Sequence, residues 1–464
     1  MKMDVVIFTG LLAVSALIAD NAVLQAPSAF VFDEGLDMRI RYEHEDNFMR
    51  SGKNTFNSGY LDYLRFRTRV WGRAVYKDDY LMFLRLGNEF RDYRNSTANK
   101  NKNEFPDEIY IDNLFFEIKN LKDRVDLRLG RQDIEFGAGR LVSDGTPGDG
   151  SRSAFFDAVR AKVKVLENSE LNLVGLYNHY RDDFTVGNGF NEYDLTAVRK
   201  GDPYSKMNEM GAAVYMSYNE LENLPMEFYC IWKRETRFYD KSVRYPGRNF
   251  YTTGFRLKPE FTEKLSGELE AALQTGGIDS RKGAGMQDRD IFAWMGYAGL
   301  TRSEKNLPGK PQLTAAVLYL SGDEDSYYKT TDGSTDNGWN PVFNRTTWFS
   351  KIAASMYDKY RWSNLIYPHL EGRLEPSAKH KIKLQTGPMF AAAKDNNAQS
   401  SYRGYFTQLR YDFPLLDKIF NERGLIKGAV VGEVLCYGDY YEHEVPGNNE
   451  DFTWWMRCEL KAAF

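Results

Sequence analysis

The stretch RFRTRVWGR carries four arginines at the spacing of a β-strand: Arg65, Arg67, Arg69 and Arg73. Successive side chains of a strand point to opposite faces, so the guanidiniums share one face. The other face carries Leu64, Phe66, Thr68 and Val70. A guanidinium is permanently charged and holds a carboxylate through two parallel hydrogen bonds, which is chemistry for binding or guiding anions. Such a row does not face a hydrophobic core, so one side of this strand requires water.

The same alternation recurs along the whole chain. In FDAVRAKVKV and KHKIKLQTG, basic residues occupy every second position, and the residues between them are mostly small or apolar. No pattern typical of crossover helices separates these segments, so the sheet is predicted to be antiparallel. Eighteen strands are predicted, at residues 35–43, 62–76, 80–92, 107–119, 124–132, 155–165, 169–180, 206–218, 225–238, 249–258, 264–276, 289–300, 311–320, 362–373, 380–393, 401–413, 425–437 and 451–464.

The connections between the predicted strands alternate in length. Short turns such as YKDD, NLKDR and LENS follow every second strand, and the intervening connections are longer. This asymmetry is typical of outer-membrane barrels, which have tight periplasmic turns and longer outer loops. The sequence therefore predicts an all-β fold, an 18-stranded antiparallel transmembrane β-barrel, with both termini on the periplasmic side.

The two ends of the chain agree with this fold. An apolar run, Val5–Ala19, follows a short head with a lysine, as in a secretory signal peptide, and it is short for a helical span of about 20 residues. Three small residues fit the cleavage site: Ala16, Ala19 and Ala29. We expect a signal peptide within residues 1–29 and an outer-membrane β-barrel over residues 30–464.

The last strand ends the chain on Phe464 with the alternating sequence WWMRCELKAAF. A final amphipathic strand that ends in Phe resembles the signal recognised by the bacterial outer-membrane insertion machinery. The expected location is the outer membrane of a Gram-negative bacterium, and the expected partners are its lipid and that machinery.

In such a barrel the apolar face meets lipid and the polar face meets a water-filled lumen, because Arg or Lys at mid-depth in lipid costs ~2–4 kcal/mol. The predicted pore-lining cations are Arg39, Arg41, Arg65, Arg67, Arg69, Arg73, Arg85, Arg91, Arg128, Arg160, Lys162 and Lys164. Later strands add Lys381, Lys383, Arg410, Arg457 and Lys461 to the candidate lumen cations. Rings of Arg and Lys select anions in a pore, which predicts a channel for anionic solutes or an anionic saccharide.

The same charges allow other functions. Lumen charges that pair with cross-strand neighbours only stiffen the wall, which leaves a general or nutrient-specific porin as the alternative. A barrel enzyme and a surface adhesin that uses the long connections 133–154 and 321–361 are further hypotheses. Scattered histidines and the absence of a G-x-S-x-G elbow or Cys–His pairing argue against a metal site, a cofactor and catalysis. A net charge of -4 gives no indication of a nucleic-acid partner.

Two blocks resemble the alginate export family of outer-membrane barrels. The first is LRLGRQDIEFGAGRLVSDG followed by FFDAVRAKV, and the second is LYLSGDED leading into NGWNPVFNR. The matching residues are Gly130, Arg131, Gln132, Arg140, Asp157 and Arg160 in the first block, and Ser321, Gly322 and Asp323 in the second. The resemblance implies an eighteen-stranded barrel whose best-known members pass alginate through an Arg- and Lys-rich constriction. These motif residues also fit an architectural role.

One connection departs from that family. Alginate exporters that gate with a long periplasmic loop place it between the sixteenth and seventeenth strands. Here the corresponding segment is PLLDKIFNERG, about eleven residues, which is too short to fill a lumen. A general or nutrient-specific porin without a role in alginate export therefore stays as the alternative function.

Overall fold

The barrel consists of eighteen antiparallel strands in the residues that the computed structural model describes. These are residues 30–48, 60–96, 109–143, 155–179, 185–187, 207–240, 243–279, 288–324, 335–344, 348–356, 363–377, 379–394, 400–419, 424–441 and 451–464. The predicted signal peptide lies outside them. The strands are β1 (Phe30–Asp46), β2 (Tyr60–Tyr76), β3 (Tyr80–Ser96), β4 (Ile109–Leu121), β5 (Val125–Gln132), β6 (Phe156–Lys164), β7 (Glu170–Asn178), β8 (Glu209–Tyr218), β9 (Met226–Glu235), β10 (Arg248–Leu257), β11 (Leu265–Ile278), β12 (Arg289–Ser303), β13 (Gln312–Leu320), β14 (Leu365–Ser377), β15 (His380–Phe390), β16 (Tyr402–Ile419), β17 (Gly424–Tyr437) and β18 (Phe452–Ala463).

Each strand pairs with its neighbours in the chain, and the first strand pairs with the last. On β1, Arg41 lies opposite Arg65 of β2 on one side and opposite Glu459 of β18 on the other. Beyond β18, the backbone of Phe464 exchanges two hydrogen bonds with Leu36. The sheet is therefore closed. Closure gives a hydrogen-bond partner to the backbone groups at the two sheet edges, which would have no water to bind inside lipid. The predicted eighteen-stranded antiparallel barrel is confirmed. Most strand ends lie within four residues of those expected, but β1 starts five residues earlier and β16 ends six residues later.

Along the strands the charged side chains are buried and the apolar side chains are exposed, the reverse of the pattern in a soluble protein. On β1 the side chains of Arg39 and Arg41 are 2% and 1% exposed, whereas Ile40 between them is 43% exposed. The same alternation holds on β2, where Arg65, Arg67 and Arg69 are buried. The charged face therefore points into the barrel and the apolar face points outward, as the cost of a charge in lipid requires.

Two long connections fold into the barrel. The first inner segment (residues 133–143) follows β5, and the second inner segment (residues 335–344 and 348–356) follows β13 and ends in a short helix, α1 (Lys351–Met356). Residues 142–143 pair in parallel with residues 343–344, so the two segments touch each other. Their apolar side chains form one buried cluster with the inner wall: Phe136, Leu141, Val142, Trp339, Val342, Phe343 and Ile352.

The remaining elements are small. Short strands lie at residues 185–187, 238–240, 243–245 and 260–262. Within the described residues, no helix has the length and apolar character needed to cross a membrane. β16 runs to Ile419 and β17 starts at Gly424, so most of the segment PLLDKIFNERG is strand rather than loop.

Val317 and Thr314 test the assignment of the two faces, because they lie on β13 with opposite orientation. Val317 points outward and is 44% exposed, and the hydroxyl of Thr314 lies 2.8 Å from that of Thr301 on the inner face. We expect Val317→Arg to lower the free energy of unfolding by ~2–4 kcal/mol, since the charge enters lipid. Thr314→Arg is the matched control and keeps its charge in water. The measurement is urea unfolding in phospholipid vesicles, and equal losses in both variants contradict the assignment.

Candidate functional site

The inner wall of β1 and β2 carries an arginine ladder, defined here as Arg39, Arg41, Arg65, Arg67 and Arg69. The strand register places Arg39 opposite Arg67 and Arg41 opposite Arg65. Like charges directly opposite each other destabilise a sheet, so this arrangement requires carboxylates between the guanidiniums.

Carboxylates from three strands, β1, β3 and β18, compensate the arginine ladder. Arg41 Nη2 lies 2.6 Å from Glu459 Oε2, and Arg65 Nε lies 2.7 Å from Glu89 Oε1. A single oxygen of Asp37 accepts hydrogen bonds from Arg67 at 3.0 Å and from Arg69 at 3.1 Å. The arginine ladder is therefore a buried ion-pair network that stabilises the wall. This is the arrangement expected for the alternative function, a general or nutrient-specific porin.

The other predicted pore-lining cations also lie against partners. Arg73 pairs with Asp33 at 2.9 Å on an exposed part of the wall, and the Arg91 guanidinium lies 5.5 Å from the centre of the Tyr63 ring. Arg85 bridges β4 and the first inner segment through Asp112 and Asp133.

On β5 and β6 the predicted cations are closer to solvent. Arg128 pairs with Glu117, Arg160 donates to Asn172 Oδ1 at 2.9 Å, and Lys162 lies 3.2 Å from Glu170. Lys164 is exposed at the end of β6. That these twelve cations line a conducting pore stays a prediction.

The first family motif builds the junction between β5, β6 and the first inner segment. Arg131 holds both carboxylate oxygens of Asp157, at 2.9 and 3.1 Å. Gln132 Nε2 donates to the carbonyls of Gly130 and Ala158. Gly130 has φ 118°, and a Cβ there would lie 2.3 Å from a backbone oxygen of β4, so the position requires glycine. These contacts hold the junction between the two strands in place.

The second family motif fixes the start of the connection that contains the second inner segment. Ser321 Oγ accepts a hydrogen bond from the backbone N–H of Trp294 at 2.9 Å. Asp323 pairs with Arg289 at 3.2 Å and also accepts from the N–H of Asn337. A Cβ at Gly322 would lie 2.1 Å from Asn364 Oδ1, so a larger residue does not fit.

Arg140 anchors the first inner segment to the wall of β11 and β12. Its Nη1 atom donates to Glu268 at 2.6 Å and to Glu270 at 2.5 Å, and its guanidinium lies 3.7 Å from the centre of the Tyr297 ring. Burial lowers the pKa of the Arg140 guanidinium, but the carboxylates of Glu270 and Glu268 more than offset this, so the pKa lies above its usual value. The side chain is therefore a permanent cation in this position.

The second inner segment is anchored by polar side chains of β9, β10 and β11. Lys233 Nζ donates to the carbonyl of Val342 at 2.6 Å, and Arg248 lies 2.7 Å from Asp336. Gln274 both donates to and accepts from the backbone of Asn340. Buried polar groups that all have partners hold a segment in one conformation, so this half of the lumen is filled.

Helix α1 is held by Glu433 of β17. The carboxylate accepts from the backbone N–H groups of Lys351 and Ile352 and from Ser350 Oγ, at 2.9–3.0 Å, and from Gln408 Nε2 at 2.7 Å. On the other side, Lys351 Nζ lies 3.6 Å from Glu45 of β1. The second inner segment therefore also spans the space between β17 and β1.

A cavity of about 550 Å³ remains between the inner segments and the wall of β15–β18. Six cations line it: Lys351, Lys383, Arg410, Lys427, Arg457 and Lys461. Four acids line it: Glu135, Asp412, Glu433 and Glu459. Within the described part of the chain, none of the twelve predicted pore-lining cations lines this cavity. Sequence reasoning placed the weight on the first strands and did not identify Lys351 or Lys427, although the alternation of β17 puts Lys427 on the inner face.

Arg140→Ala tests the anchor of the first inner segment. The variant removes one cation from Glu268, which keeps its pair with Arg256, and from buried Glu270, which keeps the hydrogen bond from Tyr229. We therefore expect a loss of about 1–3 kcal/mol in unfolding free energy. We also expect a larger and noisier single-channel current, since the segment is released from the wall of β11 and β12. Arg302→Ala, which removes an exposed pair with Glu304, is the control and should cost less than about 1 kcal/mol. A quiet current of unchanged size from a folded Arg140→Ala barrel contradicts the anchoring role.

Similar folds occur among solved outer-membrane proteins. Pseudomonas aeruginosa OccK7 (OpdD) matches with a TM-score of 0.55 at 11% identity, covering 93% of this chain and 98% of the other. OccK9 (OpdG) and OccD3 (OpdP) of the same organism give TM-scores of 0.54 and 0.51 at 10% and 11% identity. OccK9 covers 93% of this chain and 98% of its own length, and OccD3 covers 95% and 93%. These similarities establish the fold.

The sequence itself gives the family. No curated protein matches the chain. A family model described as alginate export matches residues 31–404, which span β1 to the start of β16 and include both motif blocks. With that match and the closed barrel, the chain belongs to the alginate export family of outer-membrane β-barrels.

Proposed function

We propose that this protein is a passive outer-membrane channel for small anionic solutes, which cross beside the wall of β15–β18. The observation that carries the proposal is the charge of the remaining cavity, where cations outnumber acids by six to four. Positive side chains around a narrow aqueous passage favour anions. Signal-directed export of the chain and insertion through β18 are parts of the same proposal.

The predicted arginine ladder contributes to this field from the neighbouring wall. It adjoins the cavity through Glu459, which pairs with Arg41 and lies on the cavity lining. Because its guanidiniums are already paired with carboxylates, we propose that the ladder is the weaker source of anion preference and the stronger source of rigidity.

Alginate is the second candidate, and the family match favours it. A polysaccharide needs a continuous wide path, whereas the two inner segments fill much of the lumen and leave a cavity of about 550 Å³. The connection between β16 and β17 is residues 420–423, too short for a lumen-filling gate. We therefore place small anions, including single uronate sugars, ahead of the polymer and ahead of a general porin.

Planar-bilayer recording in a KCl gradient tests the proposal. We expect a reversal potential on the anion side, since cations outnumber acids along the lining of the path. Equal permeability to potassium and chloride supports the general porin instead. A purified, folded barrel that opens no conductance rejects the channel and favours the adhesin or enzyme hypothesis.

Swelling of liposomes that contain the protein separates the candidate solutes. We expect faster entry of a uronate monosaccharide than of the neutral hexose of the same size, because the carboxylate is drawn to the cavity cations. Alginate oligomers of increasing length should enter progressively more slowly. Protein-free liposomes give the background rate. Entry rates that do not depend on oligomer length contradict the preference for small solutes and support polymer transport.

A further inference from the structure

Lys427 stands out among the cavity cations by its position. It lies on the inner face of β17, three residues after the strand begins at Gly424, and its side chain is exposed to the cavity. The next inner-face residues of the same strand are Ala429 and Val431, which carry no charge. The lysine is therefore the charged inner-face residue of β17 between Gly424 and Val431, and it lines the cavity.

Four of the other cavity cations face a carboxylate. Lys383 lies 2.8 Å from Glu371, and Arg410 lies 2.6 Å from Asp412. Lys461 lies 3.3 Å from Asp37, and Lys351 lies 3.6 Å from Glu45. The fifth, Arg457, has its guanidinium 5.3 Å from the centre of the Trp455 ring. Their charges are partly cancelled or screened by these neighbours.

Lys427 has no such partner within the described residues. The register places it opposite Lys461 on one side and opposite Pro414 on the other. A like charge directly across a strand pair is unfavourable, and Asp37 already pairs with Lys461. Two further carboxylates, Asp412 and Glu459, lie opposite Ala429 on the neighbouring strands and are held by Arg410 and Arg41. Among the described residues, the ammonium group of Lys427 therefore has no ion-pair partner, and it faces the cavity.

We infer that Lys427 is the residue that sets the anion preference of this channel. The inference rests on the proposed channel function and adds the specific side chain responsible. One elementary charge about 5 Å from a permeating ion, in water-like surroundings with salt screening, changes the ratio of anion to cation permeability about fivefold. The paired cations change it less, because their fields are opposed by the adjacent carboxylates.

The experiment measures reversal potentials in the same KCl gradient for the complete protein and four variants. Lys427→Gln should lower the ratio of anion to cation permeability about fivefold, and Lys427→Glu should lower it further or reverse it. Lys427→Arg should retain the wild-type ratio, since the charge is kept. Lys305→Gln is the matched control, because Lys305 is an exposed lysine on the turn before β13, away from the cavity.

The outcomes separate the two proposals. A wild-type channel without anion preference rejects the proposed function, whatever the variants do. A wild-type channel that prefers anions, with Lys427→Gln unchanged or matched by Lys305→Gln, rejects the role of Lys427 alone. Loss of preference in Lys427→Arg as well also rejects it, because the effect then follows the shape of the side chain rather than its charge. Heat-modifiable migration on gels checks that each variant is folded.

Discussion

The backbone pairing of β1 with β18, which closes the sheet, is the constraint on which the rest of the molecule depends. Lipid offers no partner to a backbone N–H or C=O, so a sheet that crosses it needs every edge paired. Once the sheet closes, each strand has one face in oil and one in the enclosed space. The inverted burial of Ile40 and Arg41 follows directly from this geometry. The charged interior is thus a consequence of closure before it is a feature of transport.

The guanidiniums of a charged interior repel each other, and the carboxylates and the two inner segments supply partners for them. Guanidiniums such as Arg39 and Arg67 lie opposite each other and are tolerable only because Asp37 and Glu89 lie between them. Where the inner segments pack against the wall, buried charged side chains such as Lys233 have protein partners. Where water remains, a lone charge costs little, since water solvates it. Lys427 lies in the second environment, so the wall has no need to neutralise it.

The strands and their faces could be predicted from the sequence because a period of two is a local property that closure does not alter. The inner segments could not, since their burial depends on contacts across the barrel, such as Arg140 with Glu270, between residues far apart in sequence. Ion pairing was hidden for the same reason. The local sequence GLIKGAVV does not indicate that Lys427 lies opposite Lys461 rather than opposite an acid. The alternation of basic residues therefore predicts which side chains lie on the inner face. It does not predict which of them lack an ion-pair partner.

The anchoring of the inner segments also decides how the interior can move. The first segment is tied by Arg140, and the second by Lys233, Gln274 and Glu433, on walls that are several strands apart. Releasing the second segment as a lid would break several hydrogen bonds at once, each with a net contribution of about 0.5–1.5 kcal/mol. A fixed obstruction is consequently the lower-energy arrangement, and selectivity then belongs to the static wall that faces it. In such a channel a charge without an ion-pair partner matters more than the total number of basic residues, because the field of each paired cation is opposed at short range by its carboxylate.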